Sequence, residues 1–153
     1  MSDPPDEPRP IHVVVADDHV LSRRHVVATL SRDAGCVVVG EAADGRAAVA
    51  LVRRLQPDVV VMDIHMPILD GIAATRRIRA LGASRVVLIS ADDRVLYGPA
   101  AMAAGAAAWW SKTDPESALV AAVRAVASGA DDPVAPPREP RPREGADTEE
   151  KPS

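Results

Sequence analysis

The chain has 153 residues, a formal net charge of -4 and 47% hydrophobic residues, with no phenylalanine, one tyrosine and two tryptophans. That length holds one domain of ordinary size, whose core must be built from valine, alanine, leucine and isoleucine. Negative charge without clustered lysine and arginine argues against nucleic-acid binding, the stretch from Ala100 to Trp110 is far shorter than the roughly 20 apolar residues that cross a bilayer, and a single Cys36 excludes an internal disulfide.

The first ten residues, Met1-Ser-Asp-Pro-Pro-Asp-Glu-Pro-Arg-Pro, place acid and proline where a secretory leader needs a basic segment and an apolar run. Residues 1–10 are expected to be a disordered extension of a cytoplasmic protein. A β-branched run from Ile11 to Ala16 follows and stops at Asp17 and Asp18, after which Val20 to Asp33 has helical period. The alternation repeats, with strands at Cys36 to Glu41, Asp58 to Met62, Arg85 to Ser90 and Ala106 to Ser111. Helices are expected at Gly45 to Leu55, Gly71 to Ala80, Val95 to Ala104 and Pro115 to Ser128. Five such repeats predict an α/β fold whose parallel strands are covered on both faces. Asp44 and Asp70 each precede a glycine where an N-cap is wanted, and Pro115 occupies a first-turn position after Asp114. The fourth helix is the weak one: Tyr97-Gly98-Pro99 removes a backbone donor, so this segment should be short, kinked or late-starting, and the most mobile element.

Of 14 prolines, ten fall in the first ten residues or after residue 130, leaving Pro57, Pro67, Pro99 and Pro115 between. The folded unit is therefore bounded at 11–129. Residues 130–153, proline-rich and then acidic, are expected to be a disordered tail.

In an open parallel sheet, ligands bind outside the carboxyl ends of the strands, where strand order reverses. Asp17 and Asp18 end the first strand, Asp63 the third, Ser90 the fourth and Lys112 the fifth. Singly each has a plain explanation: Asp18 as a helix cap, Asp63 as a turn residue, Ser90 as a loop hydroxyl, Lys112 as a solvated charge. Together they point to one site. Three carboxylates in one crevice need a cation or a proton, and hard oxygen donors suit Mg²⁺, which takes one or two of them directly and keeps several waters. His12, His19, His25 and His65 lack the i, i+4 spacing of a zinc pair, and one cysteine makes no thiolate cluster. With its charge cancelled, Asp63 can attack phosphorus to give an acyl phosphate, while Lys112 neutralises one phosphoryl oxygen and Ser90 donates to another.

The blocks Val13-Val-Val-Ala-Asp-Asp-His-Val-Leu, Asp58-Val-Val-Val-Met-Asp-Ile-His-Met-Pro-Ile-Leu-Asp-Gly, Val87-Leu-Ile-Ser-Ala and Gly105-Ala-Ala-Ala-Trp-Trp-Ser-Lys carry a close resemblance. Across almost all of 11–129 the chain resembles the receiver domain of bacterial two-component response regulators. The first block and Val39-Gly-Glu-Ala-Ala-Asp-Gly look most like the NarL/FixJ-type subfamily. The resemblance implies a doubly wound five-stranded parallel sheet in flavodoxin-like strand order 2-1-3-4-5. It further implies that Asp63 accepts phosphate from a histidine kinase or phosphotransfer protein, and that Mg²⁺ is held by Asp17, Asp18, Asp63 and the backbone carbonyl of His65. Ser90 and Lys112 are then assigned to the phosphoryl group, and Trp109 to an aromatic switch that turns inward when Ser90 moves toward the phosphate.

The same resemblance places kinase docking on the first helix around Val20, Leu21 and Arg24, and output to a downstream protein, or a homodimer contact, on the fourth-helix surface. Subfamily members usually continue into a helix-turn-helix domain, which needs more residues than follow Gly129. Signalling through protein contacts, without direct nucleic-acid binding, is the expectation. Departures from the family pattern are Trp109 where tyrosine or phenylalanine is usual and Thr113 where proline often follows the lysine. His65 and Asp92 lie two beyond Asp63 and Ser90, at positions that tune phosphate loss in the family. Two other classes fit the residues less well. One is a degenerate receiver that binds a partner without being phosphorylated, and the other is a metal-dependent hydrolase, whose usual second aspartate is here His65.

Overall fold

A computed structural model describes residues 9–91 and 94–129. Strands β1 (Ile11–Ala16), β2 (Cys36–Ala42), β3 (Val59–Asp63), β4 (Arg85–Ser90) and β5 (Ala108–Ser111) alternate with helices α1 (Val20–Ser31), α2 (Gly45–Leu55), α3 (Gly71–Leu81), α4 (Arg94–Ala104) and α5 (Glu116–Ala127). The strands form one five-stranded sheet in the order β2-β1-β3-β4-β5, and every neighbouring pair is parallel. This is the flavodoxin-like α/β fold, and its order reverses at β1 and β3.

Alternate residues of each strand serve opposite layers, as the two-residue period of a strand requires. Val14, Ala16, Val60, Met62, Leu88 and Trp109 face a cluster with Val49 and Val52 of α2, Ile78 of α3 and Ala101 of α4. Val13, Val15, Val61, Ile89 and Trp110 face a second cluster with Leu30 of α1 and Leu119, Val123 and Val126 of α5. Adjacent tryptophans thus supply bulk to both layers of a core otherwise made of small aliphatics. Cys36 is buried at the start of β2.

Several boundaries differ from the sequence expectation for identifiable reasons. Asp58 falls just before β3, its carboxylate at the strand's foot accepting from the His12 N–H at 2.9 Å and from Arg9 at 3.2 Å. The fifth strand begins at Ala108 rather than Ala106, since the Ala106 N–H bonds back to the Ala101 carbonyl at 3.1 Å and finishes the turn after α4. Helix α4 is neither short nor late: it starts at Arg94 and has 11 residues, as many as α2 and α3, with Pro99 inside. Pro99 is exposed while Ala101 and Ala104 are buried beneath it, so packing holds the helix despite the missing donor. Asp44 and Asp70 cap as expected, accepting from Ala47 N at 2.7 Å and Ala73 N at 2.8 Å. Pro115 is the N-cap of α5 and not its first turn, while Asp114 accepts from Ser111 N at 3.1 Å inside the preceding loop. Asp18 caps nothing, because the N-cap of α1 is His19. The expectations for residues 1–8, 130–153 and Asp92 lie outside the described residues.

Two glycines let helices approach the loop after β3. A Cβ on Gly71 would stand 2.2 Å from the Asp63 carbonyl oxygen, and one on Gly45 would stand 2.0 Å from the Leu69 carbonyl oxygen. Both are backbone atoms, so no side chain can turn aside. Gly71→Ala is therefore expected to cost about 2–3 kcal/mol in urea unfolding, with no drop in the denaturant slope if the fold otherwise stays intact.

Candidate functional site

Asp17 and Asp63 leave the carboxyl ends of β1 and β3, the two strands flanking the reversal of order. Both are buried, at 0% and 4% exposure. Lys112 follows β5 and reaches back across the rim, its Nζ donating to Asp63 Oδ2 at 3.0 Å and to Asp17 Oδ2 at 3.2 Å. One ammonium thus bridges two buried acids drawn from residues 46 positions apart in sequence, 17 and 63. Asp18, more exposed, completes the acidic group: single ligand atoms of Asp17, Asp18, His19 and Asp63 all lie within 4.8 Å of one another.

Local bonds fix each member. Asp17 accepts from His19 N at 2.9 Å and from the Ser22 hydroxyl at 2.6 Å, while Arg23 donates to its carbonyl at 2.7 Å. Asp63 Oδ1 accepts from His65 N at 3.1 Å. Ser90 is buried at the end of β4, and its carbonyl accepts from Lys112 N at 2.7 Å, which pins the lysine's backbone to the neighbouring strand. Around Lys112 the Ser111 hydroxyl donates to the Ala91 carbonyl at 2.8 Å, and the Trp110 indole N–H donates to the Pro115 carbonyl at 3.1 Å. The Lys112–Thr113 peptide is trans.

The loop from Asp63 to Gly71 is tightly bent. Leu69 N–H donates to the Pro67 carbonyl at 2.7 Å across Ile68, whose φ is 73°. That is a γ-turn on a β-branched residue, a conformation that stores on the order of 1–3 kcal/mol. The Gly71 N–H closes the loop on the Ile64 carbonyl at 2.7 Å.

Electrostatics divides the two buried acids. Burial pushes the Asp63 carboxyl above its ordinary range, Asp17's charge adds to the rise, and Lys112 and the His65 N–H offset only part of it. Burial acts on Asp17 in the same direction, but there the Ser22 hydroxyl, the His19 N–H and Lys112 prevail and hold the carboxyl below its ordinary range. Burial alone would lower Lys112; the two carboxylates outweigh it and raise the ammonium. Three carboxylates against one lysine leave a surplus of negative charge on hard oxygen donors, which suits a hard divalent cation.

The structure brings together Asp17, Asp18, Asp63 and Lys112, with Ser90 joined through its backbone. Trp109 pairs in register with Leu88, two residues before Ser90, and lies 2% exposed in the core below the site. Sequence reasoning missed Ser22, whose only signal was a hydroxyl one helical turn after the Asp pair. It also discounted His19, which enters the acidic group, and it did not foresee Tyr97 meeting His65 edge to face at 5.1 Å.

The geometry has counterparts. The family model described as response regulator receiver domain matches residues 13–124. The transcriptional regulatory protein NarL of Mycobacterium tuberculosis is 41% identical over 132 residues, covering 86% of this chain and 60% of that protein. The chain therefore spans about three fifths of that relative's length. The solved signal receiver domain of NarL from the same organism superposes with a TM-score of 0.77 at 40% identity, covering 80% of this chain and 99% of the other. A complex of CheX and CheY with BeF3 and Mg from Borrelia burgdorferi matches with a TM-score of 0.71 at 26% identity, covering 78% of this chain and 90% of that one. No helix among the described residues is long and apolar enough to cross a membrane.

Opposite stability effects are expected from two touching residues. A raised folded-state pKa means the folded chain binds the Asp63 proton more readily than the unfolded chain does, so the ionised acid is a cost near neutral pH. Asp63→Asn should raise stability by about 1 kcal/mol near neutral pH, with the gain shrinking as pH falls through the raised Asp63 pKa. Lys112→Ala should lower stability by about 2 kcal/mol, since it leaves both acids without their counter-charge. Urea unfolding across pH, without divalent ions, reads both.

Proposed function

Because this chain belongs to the response regulator receiver family, a phosphoacceptor signalling module with a histidine kinase as its implied partner, we propose that Asp63 is the residue that takes the phosphoryl group. The observation that carries this is the Lys112 ammonium held at 3.0 Å from Asp63 and 3.2 Å from Asp17. An Asp63 carboxylate oxygen attacks phosphorus of the donor. The new P–O bond forms as the phosphorus–nitrogen bond of a phosphohistidine breaks, and the imidazole leaves with the electron pair. Lys112 moves its ammonium from the carboxylates to a phosphoryl oxygen, where it neutralises developing charge. Ser90 donates its hydroxyl to another.

Asp17, Asp18, Asp63 and the His65 carbonyl would hold Mg²⁺. When bound, that ion supplies the positive charge that lets an acid and a phosphoryl group share one crevice. The similarity to a CheY found with BeF3 and Mg supports magnesium over softer metals. Asp17, already held ionised by Ser22 and His19, is prepared as a ligand at neutral pH.

We assign Ser90 and Trp109 to the switch. Trp109 is already buried, so a Ser90 drawn to the phosphate would hold it inward and bias α4 and β5. A phosphotransfer protein is the alternative donor. The exposed Val20 and Leu21 beside the pocket, 49% and 79% accessible, form an apolar docking edge for either. The α4 surface serves a downstream protein or a second copy of the chain, in a cytoplasmic setting.

Incubation with a small phosphodonor and Mg²⁺ should give a hydroxylamine-labile phosphoadduct on the wild type and none on Asp63→Asn. If neither the small donor nor a cognate kinase yields an adduct, the domain is a binding module that works without phosphorylation.

A further inference from the structure

We propose that Tyr97 is a positioning residue for His65, holding its ring beside the Asp63 pocket so that the state of α4 sets how long the phosphoryl group survives; this rests on Asp63 being the acceptor. The two rings meet with centroids 5.1 Å apart and planes at 77°, the edge-to-face arrangement aromatic pairs favour. His65 is anchored at the pocket by its amide, which donates to Asp63 Oδ1 at 3.1 Å. Tyr97 is half-buried on α4 and packs on the cluster that includes Trp109 and Met62. A ring contact therefore runs from the residue two beyond the acceptor to the helix that follows β4.

Beside the buried Trp109 assigned to the switch, the half-buried Tyr97 gives α4 a further contact toward the site and can follow any shift of its helix. The outer side of α4 invites such a shift: Leu96 is 71% exposed, and Pro99, Ala100 and Ala103 beside it are exposed and uncharged. A partner that grips this apolar face pulls on the segment that carries Tyr97.

Loss of the phosphoryl group is attack of water on phosphorus. The P–O bond to Asp63 breaks, the carboxylate keeps the electron pair, and inorganic phosphate leaves with the water oxygen and both its protons, one of which can then pass to solvent. A ring fixed beside the acceptor restricts the in-line approach of that water. Coupling of this kind is reciprocal in binding: a partner that prefers the Tyr97–His65 contact in place also binds the phosphorylated chain more tightly if phosphorylation strengthens that contact.

The test follows acyl-phosphate decay in the full chain after labelling from a small phosphodonor with Mg²⁺. Tyr97→Leu is expected to speed decay by about tenfold, His65→Ala to match it, and the double variant to be no faster than either, whereas Tyr97→Phe keeps the ring and stays within about twofold of wild type. A merely structural Tyr97 would lower stability without this non-additive pattern. Wild-type decay in Tyr97→Leu, or additive acceleration in the double variant, overturns the inference. If Tyr97→Leu does not fold, wild-type decay in His65→Ala, a change at an exposed ring, overturns it equally. Absence of any adduct on the wild type overturns the acceptor reading and this inference together, while a normal adduct with unaltered decay in the variants overturns only the latter.

Discussion

Two buried carboxylates facing one ammonium are the interaction on which the rest of this molecule depends. Asp17 and Asp63 cannot both remain ionised side by side in a crevice without a counter-charge, and Lys112 supplies one from a third strand. The arrangement is deliberately incomplete. One lysine against three acids leaves room for more positive charge, which is what the proposed arrival of a phosphoryl group and its cation would use. An apolar replacement of the cluster would make a more ordinary core, but it would lack the carboxylate on which the proposed phosphotransfer rests.

Holding that cluster requires the backbone to come unusually close to itself. Gly71 and Gly45 admit the starts of α3 and α2 against the loop after β3, and Ile68 takes a left-handed φ to let that loop turn. On the opposite side of the site, Trp110 and Ser111 tether the segment carrying Lys112 to α5 and to the residue after β4. Strain in one loop and tethering in the other have a common effect: the acids and the lysine meet at fixed distance with little freedom to relax apart, which is what preorganisation for charge transfer requires.

The same geometry explains how a local change at Asp63 can reach the surface. Trp109 and Trp110 sit on opposite sides of β5, one in each core layer, so the strand carrying Lys112 is clamped from both faces. Helix α4 packs on the core through Ala101, Ala104, Met102 and Tyr97, and it contains a proline. Its buried residues, among those described, are Gly98, Ala101 and Ala104, all small, so a small displacement of this helix costs little packing.

Much of this was readable from the residues alone. Continuous β-branched runs stopping at Asp17, Asp63 and Ser90 located the strands and their functional ends, because burial on both faces demands such sequence and only the strand ends can hold charge. Asp44 and Asp70 announced their caps because capping is a contact between residues three apart. Ser22, Tyr97 and the true extent of α4 were not legible in the same way. The Ser22 bond depends on how α1 leaves β1, and the Tyr97–His65 contact joins residues 32 positions apart, 65 and 97, on different elements. Pro99 is tolerated only because buried alanines beneath it hold the helix in place. Local chemistry was thus written in the chain, whereas the distances that divide Asp17 from Asp63 in proton affinity, and the choice of which ring meets which, were decided by packing between segments that no local pattern relates.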